Sequence, residues 1–392
     1  MTPAARMQAA IEILDANRDG TPAEQALTGW ARRSRFAGPK DRAAVRDHVF
    51  DVLRSRRSLA ALGGGETGRA LMLGLCRRDG LDPDEMFSGA GYGPSPLTEE
   101  ERAAGRAPEE GAEALDIPDW LWPAFRDSLG EDTEAAARAL QQRAPVFLRA
   151  NLRKADRETA ATALAAEGIE TRVHPAAETA LEVVVGARRL KNSAAFRDGL
   201  VELQDAASQA VVEALPLASG QRVLDYCAGG GGKTLAMGAG AEVTLFAHDA
   251  APRRMRDLPE RAARAGLSVT LLEAAEVARA APFDLVLCDV PCSGSGAWRR
   301  APEGKWRLTE AALDEVVDTQ AEILDRAMEV VAPGGVLAYA TCSMLARENG
   351  GQIEAFLARH PGWCCSWQRS WPVTGGADGF FSAQLTRAAE GA

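Results

Sequence analysis

The chain has 392 residues, 46% of them hydrophobic, and a net charge of −10, and this length predicts two or three domains with substantial cores. It contains no apolar run near the ~20 residues of a bilayer-spanning helix. Residues 1–10 lack the apolar stretch of a secretory signal, so we expect a cytoplasmic protein rather than a membrane-spanning or secreted one. Seven cysteines without framework spacing or a CxxC pair predict free thiols rather than disulfides or a zinc site.

The charge is unevenly distributed over the N-terminal part of the chain. Residues 1–80 hold 14 basic and 9 acidic side chains, and apolar residues recur at helical spacing, as from Met7 to Leu14. The arginines of this helical region form either a solvated helix face or an RNA-contacting surface. Residues 81–144 hold 5 basic and 15 acidic side chains and a Gly/Pro-rich stretch at 89–96, so we expect an acidic linker followed by helices.

Residues 145–200 predict a small α+β module. Val146 to Asn151 is typical of a strand, Arg157 to Glu167 of a helix, and Leu181 to Val185 of a second strand. Basic side chains accompany these elements and could bind backbone phosphates, which favours an RNA-binding module. They are Arg149, Arg153, Lys154, Arg188, Arg189 and Lys191.

From residue 201 onward, apolar strand-like runs alternate with helical segments. The predicted strands are 222–225, 243–247, 269–272, 283–289 and 335–341, and the clearest predicted helix is 310–331. Alternation at this spacing indicates an α/β domain with a doubly wound parallel sheet. Ligands bind such sheets at the carboxyl ends of the strands.

Four consecutive glycines follow the first of these strands, within Asp225 to Thr234. The run is not a P-loop, because that motif requires a glycine at Cys227, and it lacks the spacing of GxGxxG. Glycines let a backbone approach a ligand closely. Asp249, at the end of the next strand, suits hydrogen bonds to ribose hydroxyls. The pair indicates a nucleoside-type cofactor and fits S-adenosylmethionine at least as well as a nicotinamide nucleotide.

Two cysteines also follow predicted strands. Cys292 lies in Asp289 to Gly296, and Cys342 lies in Tyr339 to Ser343. A single cysteine is often an inert core residue, but two thiols at strand ends beside a cofactor loop indicate covalent chemistry on one substrate. The residues alone do not decide which thiol is the nucleophile.

The segment from Trp298 to Arg307 combines four cations with two tryptophans. Tryptophan rings stack on unpaired bases and arginines bind phosphates, so the segment predicts an RNA-binding surface. The alternative is a solvated loop with one buried tryptophan.

Together these segments resemble the Sun/Fmu-type (RsmB-like) 16S rRNA (cytosine-5-)-methyltransferases over nearly the whole chain. The resemblance is carried by residues 147–151, 204–209, 225–234, 289–296, 299–306, 339–343 and 378–383. It implies a class I, Rossmann-like methyltransferase domain at 201–392 and an α+β RNA-binding module at 145–200. It also implies a NusB-like helical RNA-binding domain at 1–80, followed by the acidic linker and helices of 81–144.

The resemblance also implies the catalytic residues. Cys342 is expected to add to carbon 6 of a cytosine, Cys292 to assist release of the product, and Asp289 to hydrogen-bond the cytosine edge near nitrogen 3. The cofactor is expected to be S-adenosylmethionine, with no metal. The expected cofactor-binding residues are Cys227, Ala228, Gly229, Gly230, Gly231, Gly232, Lys233, Asp249, Glu273 and Asp289. The expected RNA contacts are Arg149, Asn151, Arg299, Arg300 and Lys305.

The sequence departs from the family pattern at three places. Gly229 and Gly230 replace an Ala-Pro pair, and Gly350 stands where an acid is expected. The acid that contacts the adenine is either Glu273 or Glu276. None of these departures removes a catalytic group.

The expected partner is small-subunit rRNA before full assembly, bound by a monomer without membrane association. A catalytically inactive ribosome-assembly factor, and a methyltransferase for another RNA such as tRNA, are the alternatives. The two thiols and Asp289 disfavour the first. A DNA or small-molecule methyltransferase is disfavoured by the basic N-terminal helices and the 145–200 module.

Overall fold

The computed structural model describes residues 1–388, which contain eighteen α-helices. The helices are α1 (Pro3–Arg18), α2 (Ala23–Arg33), α3 (Pro39–Arg54), α4 (Arg56–Gly63), α5 (Gly68–Asp79), α6 (Pro83–Met86), α7 (Glu99–Ala103), α8 (Trp122–Leu129), α9 (Thr133–Leu140), α10 (Arg157–Ala166), α11 (Ala194–Arg197), α12 (Ala206–Glu213), α13 (Gly232–Gly240), α14 (Leu258–Ala265), α15 (Ala274–Ala280), α16 (Pro302–Arg307), α17 (Glu310–Ala327) and α18 (Gly350–Arg359). Within this part of the chain, no helix has the length and apolar character needed to cross a membrane.

The same residues form two sheets. The strands are β1 (Val146–Ala150), β2 (Glu170–Val173), β3 (Ala180–Val185), β4 (Val201–Leu203), β5 (Arg222–Asp225), β6 (Thr244–Ala247), β7 (Val269–Leu271), β8 (Phe283–Asp289), β9 (Val331–Thr341), β10 (Trp363–Trp371) and β11 (Phe380–Arg387). The smaller sheet has the order β2-β3-β1-β4 and the larger has the order β10-β11-β9-β8-β5-β6-β7.

The chain divides into two compact units. The first consists of Met1–Arg143 and Trp298–Leu308, and the second of Ala144–Ala297 and residues 309–388. The domain ranges deduced from the sequence remain a proposal. The acidic stretch 81–143 belongs to the helical unit and contributes helices α6 to α9 to it.

The first unit is a helical body around one apolar core. Met7, Trp30, Val45 and Leu73 are buried in this core. Asp116, from the acidic stretch, is fully buried and accepts hydrogen bonds from the backbone N–H groups of Arg57 (2.8 Å) and Ser58 (3.0 Å). These N–H groups lie in the first turn of α4, where a helix leaves its donors without partners. A carboxylate distant in sequence thus caps this helix.

The segment 298–308 lies within the α/β part of the sequence but packs with the N-terminal helices. Trp306 contacts the helical core, and its indole N–H donates to the carbonyl of Leu53 at 2.6 Å. Glu303 accepts hydrogen bonds from Asn17 (2.6 Å) and from the backbone of Ala23 (3.2 Å) at the start of α2. The segment is therefore part of the helical unit, although it follows the Cys292 motif in sequence.

This packing is at odds with the predicted RNA surface. Trp298, Arg299 and Lys305 are 1%, 4% and 1% exposed. The Lys305 ammonium donates to the carbonyl of Arg54 at 3.2 Å. Side chains enclosed in this way cannot reach a phosphate or stack on a base. Arg300 is the exposed residue of the predicted set in this segment.

The second unit contains both sheets. In the smaller sheet, β1 pairs antiparallel with β3 and β4, so the predicted α+β module is present, and β2 and β4 are strands that the sequence patterns did not reveal. Arg149 and Asn151 are only 4% and 3% exposed. Asn151 donates to the carbonyls of Gly199 (2.8 Å) and Ala265 (2.9 Å). Its position is structural, and direct RNA contact by either residue is not supported.

The larger sheet confirms the predicted α/β class. Strands β7, β6, β5, β8 and β9 run parallel, as the alternation indicated. Strands β10 and β11 pair antiparallel and extend the sheet beyond β9. The sequence patterns did not reveal these two strands, which pair antiparallel because they follow one another without a crossover helix.

Burial of Lys305 yields a prediction about stability. Burial lowers the pKa of Lys305 to about 8, and the nearby Asp116 carboxylate opposes that shift only in part. Between pH 8 and the ordinary lysine pKa of about 10.4, the unfolded chain binds more protons than the folded chain, so the free energy of unfolding should rise with pH. Urea unfolding across this pH range should show a rise in the free energy of unfolding on the order of 1–3 kcal/mol in the unmodified protein, and we expect Lys305→Met to lack this rise.

The matched control is Lys40→Met, since Lys40 is exposed in the same unit. It should keep the pH slope of the unmodified protein. An unchanged slope in Lys305→Met would show that the ammonium is not enclosed.

Candidate active site

Four neighbouring parallel strands end at one edge of the large sheet. Asp225 ends β5 and is opposite Leu287 of β8, while Asp289 ends β8 and is opposite Ala340 of β9. Asp225 is also opposite Ala247, the last residue of β6. The register therefore brings the glycine loop, the Asp249 loop and both cysteine loops together at the carboxyl edge.

The two thiols are in contact. Cys292 Sγ and Cys342 Sγ lie 3.3 Å apart, and both residues are partly buried. The hydrogen bond with Cys342, followed by burial and the charges of Cys342 and Glu348, raises the pKa of Cys292 well above its ordinary value. Cys292 is therefore held as a protonated thiol beside the second sulfur.

An ion pair lies beside the thiols. The Lys233 ammonium, at the start of α13, contacts Asp289 Oδ2 at 2.7 Å and lies over the ring of Phe380 at 4.9 Å from its centroid. Burial lowers the pKa of Lys233, but the Asp289 carboxylate and the charges of Cys342 and Asp225 outweigh burial, so the pKa is raised. Lys233 is thus a permanent cation at this edge.

The glycine loop has a shape that side chains would not permit. Gly229 and Gly231 have φ angles of +52° and +80°, in the left-handed region. The N–H of Gly229 donates to Asp249 Oδ2 at 2.8 Å, and this carboxylate also pairs with Arg254 at 3.2 Å. Asp249 is buried, and these contacts hold the glycine loop in place, while its contact with the cofactor ribose remains a prediction.

Asp225 carries an unsatisfied oxygen beneath this loop. Its Oδ2 accepts from the Thr234 hydroxyl at 2.6 Å, while its buried Oδ1 has no hydrogen-bond partner. Burial raises the pKa of Asp225 to about 7. A buried polar atom without a partner is costly, and such atoms mark sites completed by a ligand or water.

The remaining predicted cofactor residues lie around the same loop. Ala228 is buried, and burial followed by neighbouring carboxylates raises the pKa of the Cys227 thiol, so this cysteine is not a nucleophile. Glu273 follows β7 and is exposed, whereas the Glu276 carboxylate accepts from the Glu273 N–H at 2.8 Å. This hydrogen bond is part of the capping box at the start of α15 and does not distinguish the two acids, so both remain candidates for the adenine contact.

Sequence reasoning missed the contribution of Phe380. Its ring covers the Lys233 ammonium, although the residue is about 150 positions away along the chain. The signal was present in the resemblance, since Phe380 belongs to the 378–383 segment, but the segment by itself assigned the ring no function. Among the described residues, no group of three or more His, Cys, Asp or Glu could hold a metal ion.

The sequence matches two family models. Residues 212–386 match the 16S rRNA methyltransferase RsmB/F domain, and residues 117–187 match the ferredoxin-like domain of the RsmF/B-like methyltransferases. The ribosomal RNA small subunit methyltransferase B of Xylella fastidiosa is 35% identical over 291 residues, which cover 69% of this chain and 67% of that protein. The chain belongs to the RsmB/F methyltransferase family.

Other relatives agree. The ribosomal RNA small subunit methyltransferase B of Salmonella arizonae is 32% identical over 284 residues, covering 69% of this chain and 66% of that protein, and the Citrobacter koseri protein of the same name is covered to 58%. The alignments thus span between somewhat more than half and two thirds of these relatives. Membership makes S-adenosylmethionine the cofactor, and the glycine loop, Asp249 and the unpartnered Asp225 oxygen fit it.

Solved structures share the fold. The crystal structure of PH0851 covers 99% of both chains with a TM-score of 0.75 and 24% identity. The structure of NSun6 from Pyrococcus horikoshii with SFG covers 70% of this chain and 99% of its own, with a TM-score of 0.61 and 18% identity.

The conformation of Gly231 supplies a prediction about cofactor binding. A Cβ at this position would lie 2.2 Å from Leu258 Cδ1, and the positive φ adds strain of about 1–2 kcal/mol for any other residue. We expect Gly231→Ala to displace the loop and to weaken S-adenosylmethionine binding at least about tenfold in isothermal titration calorimetry.

Gly334→Ala is the matched control, because Gly334 also has a positive φ (+76°) but no atom within 4 Å of an added Cβ. It should lower stability by about 1–2 kcal/mol while leaving cofactor affinity unchanged. Equal affinities in the two variants would show that the loop does not contact the cofactor.

Proposed function

We propose that this protein methylates carbon 5 of a cytosine in 16S rRNA through a covalent adduct with Cys342. The observation that carries the proposal is the contact of the two thiols, 3.3 Å apart, beside the Lys233–Asp289 ion pair at the strand ends. The relatives are named ribosomal RNA small subunit methyltransferase B, which supports small-subunit rRNA as the substrate. The protein is proposed to act in the cytoplasm, as a monomer, on rRNA that is not yet fully assembled.

A thiol is required because carbon 5 of cytosine is a poor nucleophile. Addition of the Cys342 thiolate to carbon 6 forms a C–S bond and breaks the aromaticity of the ring, which makes carbon 5 nucleophilic. S-adenosylmethionine supplies an electrophilic methyl group. Once carbon 5 carries the methyl group, solvent water takes its proton, the electrons of that C–H bond restore the double bond between carbons 5 and 6, and the C–S bond breaks so that Cys342 leaves as a thiolate.

The charges at the strand ends support a division of labour between the thiols. The Lys233 ammonium, paired with Asp289, supplies a positive charge close to the attacking Cys342 sulfur. The raised pKa of Cys292 keeps that residue protonated, so its thiol can donate a hydrogen bond to the departing sulfur. Asp289, which contacts Lys233 through Oδ2, is proposed to hydrogen-bond the cytosine edge near nitrogen 3.

The target base must leave its stack to reach these strand ends. Arg300 is the exposed member of the predicted RNA-binding set and is proposed to contact a phosphate. The basic side chains of residues 1–80 are proposed to add non-specific attraction to the RNA backbone.

The proposal predicts opposite outcomes for the two cysteines. Cys342→Ala should abolish methyl transfer to 16S rRNA, because no carbon 6 adduct can form. Cys292→Ala should retain attack but lose release, so a protein–RNA band resistant to denaturing electrophoresis should accumulate in the presence of S-adenosylmethionine. Full methylation by Cys342→Ala, or normal turnover by Cys292→Ala without an adduct, would contradict the assignment.

The substrate is tested separately by bisulfite sequencing of RNA from cells that lack this protein. One 16S rRNA cytosine should lose its methyl group, while tRNA positions stay methylated. Loss at a tRNA position would transfer the activity to that RNA, and no loss at any position would support an inactive assembly factor.

A further inference from the structure

A buried carboxylate lies between the two cysteine loops. Glu348 ends a single turn of 3-10 helix, Ala346–Glu348, shortly after β9, and it is 0% exposed. Burying a carboxylate is costly unless its oxygens accept hydrogen bonds. Within the described part of the chain, the hydrogen-bond donors to the Glu348 oxygens lie in the Cys292 loop, the Cys342 loop and α17.

Each oxygen of Glu348 has two donors. Oε1 accepts from the Ser293 N–H at 2.7 Å and from the Gln320 amide at 3.1 Å. Oε2 accepts from the Ser293 hydroxyl at 2.5 Å and from the Ser343 hydroxyl. Ser293 follows Cys292 and Ser343 follows Cys342, so one carboxylate joins the residues next to both thiols.

The backbone on the other side of Cys292 is held by the same group of residues. The Gln320 amide that donates to Glu348 also donates to the carbonyl of Pro291 at 2.9 Å. Gln320 is fully buried, and its Oε1 accepts a hydrogen bond from Gln352 Nε2 at 3.3 Å. Cys292 is therefore flanked by two fixed peptide groups.

Asn349 holds the Cys342 loop in the same manner. Its Oδ1 accepts from the Thr341 hydroxyl at 2.6 Å, and its Nδ2 donates to the carbonyl of Ser343 at 2.9 Å. The turn that carries Glu348 and Asn349 is itself held in place, because the Tyr339 hydroxyl donates to the carbonyl of Glu348 at 2.6 Å. The dipeptide Glu348-Asn349 thus contacts the residues on both sides of Cys342 and the residue that follows Cys292.

We propose that Glu348 is a positioning residue, supported by Asn349 and Gln320, which sets the spacing of Cys292 and Cys342 and thereby controls release of the methylated base. The charge of its carboxylate is stabilised by four hydrogen-bond donors from the two cysteine loops and α17. That charge also acts on Cys292, whose pKa is raised by the Cys342 hydrogen bond, by burial and then by Glu348. Glu348 therefore favours both the position and the protonated state of the releasing thiol.

The first test measures the spacing without RNA. Glu348→Gln keeps the shape but replaces one acceptor oxygen by a donor, so two of the four donors lose their acceptor. We expect dibromobimane, which bridges two neighbouring thiols, to cross-link Cys292 and Cys342 at least about tenfold more slowly in this variant. Mass spectrometry assigns the bridge, because Cys364 and Cys365 are also free.

Glu354→Gln is the matched control, because Glu354 lies on the exposed face of α18 only six residues away. It should cross-link at the rate of the unmodified protein. Equal cross-linking rates in Glu348→Gln and Glu354→Gln would overturn the proposal, and this result is independent of the proposed methylation.

The second test rests on the proposed function and separates positioning from a purely structural role. In single-turnover reactions with 16S rRNA, Glu348→Gln should raise the ratio of covalent adduct to released product at least about fivefold, because attack needs only Cys342 whereas release needs the correct spacing. A structural role would reduce the amount of folded enzyme and leave this ratio unchanged. An unchanged ratio with slowed cross-linking would show that the spacing does not limit release and would overturn that part of the proposal.

If Glu348→Gln fails to fold, Ser293→Ala is the variant to use in the same two measurements. It removes one hydroxyl contact to Glu348 and keeps the backbone contact and the carboxylate. A smaller change in the same direction is expected in both measurements. No change in either would contradict the proposal.

Discussion

The parallel register of β5, β8 and β9 is the constraint on which the site depends. It aligns Asp225 with Leu287 and Asp289 with Ala340, so the loops that follow these strands emerge at one edge. Each loop contributes one kind of group: glycines that admit a cofactor, a Pro-Cys segment and a Thr-Cys-Ser segment. A shift of one residue would reverse the direction of every side chain in the shifted strand and separate the thiols.

Electrostatics at this edge are asymmetric. The Lys233 ammonium pairs with Asp289 close to Cys342, while the hydrogen bond to Cys342, burial and nearby charges raise the pKa of Cys292. The two sulfurs lie only 3.3 Å apart, so a difference between them must arise from the groups that surround each sulfur. The Glu348-Asn349 dipeptide supports this arrangement from within the protein, where hydrogen bonds rather than counter-charges balance the buried carboxylate.

The basic residues show where sequence reasoning fails. Arg149, Arg299 and Lys305 were expected at an RNA surface, yet all three are buried. Composition cannot distinguish a cation that projects into solvent from one whose long apolar stem is enclosed by neighbouring elements. The enclosure of Lys305 results from the packing of the 298–308 segment with helices that precede it by more than 200 residues.

The sequence by itself determined the α/β class, the five parallel strands, the glycine loop and the identity of the two thiols, because these depend on local periodicity and on residues within short motifs. The tertiary structure decided the antiparallel pair β10 and β11, the packing of segment 298–308 with the N-terminal helices, and the ring of Phe380 over Lys233. It also decided that the pKa of Cys292 is raised and that the Glu348 carboxylate joins the two cysteine loops. These features depend on burial and on contacts between residues far apart in the chain, and no local pattern contains that information.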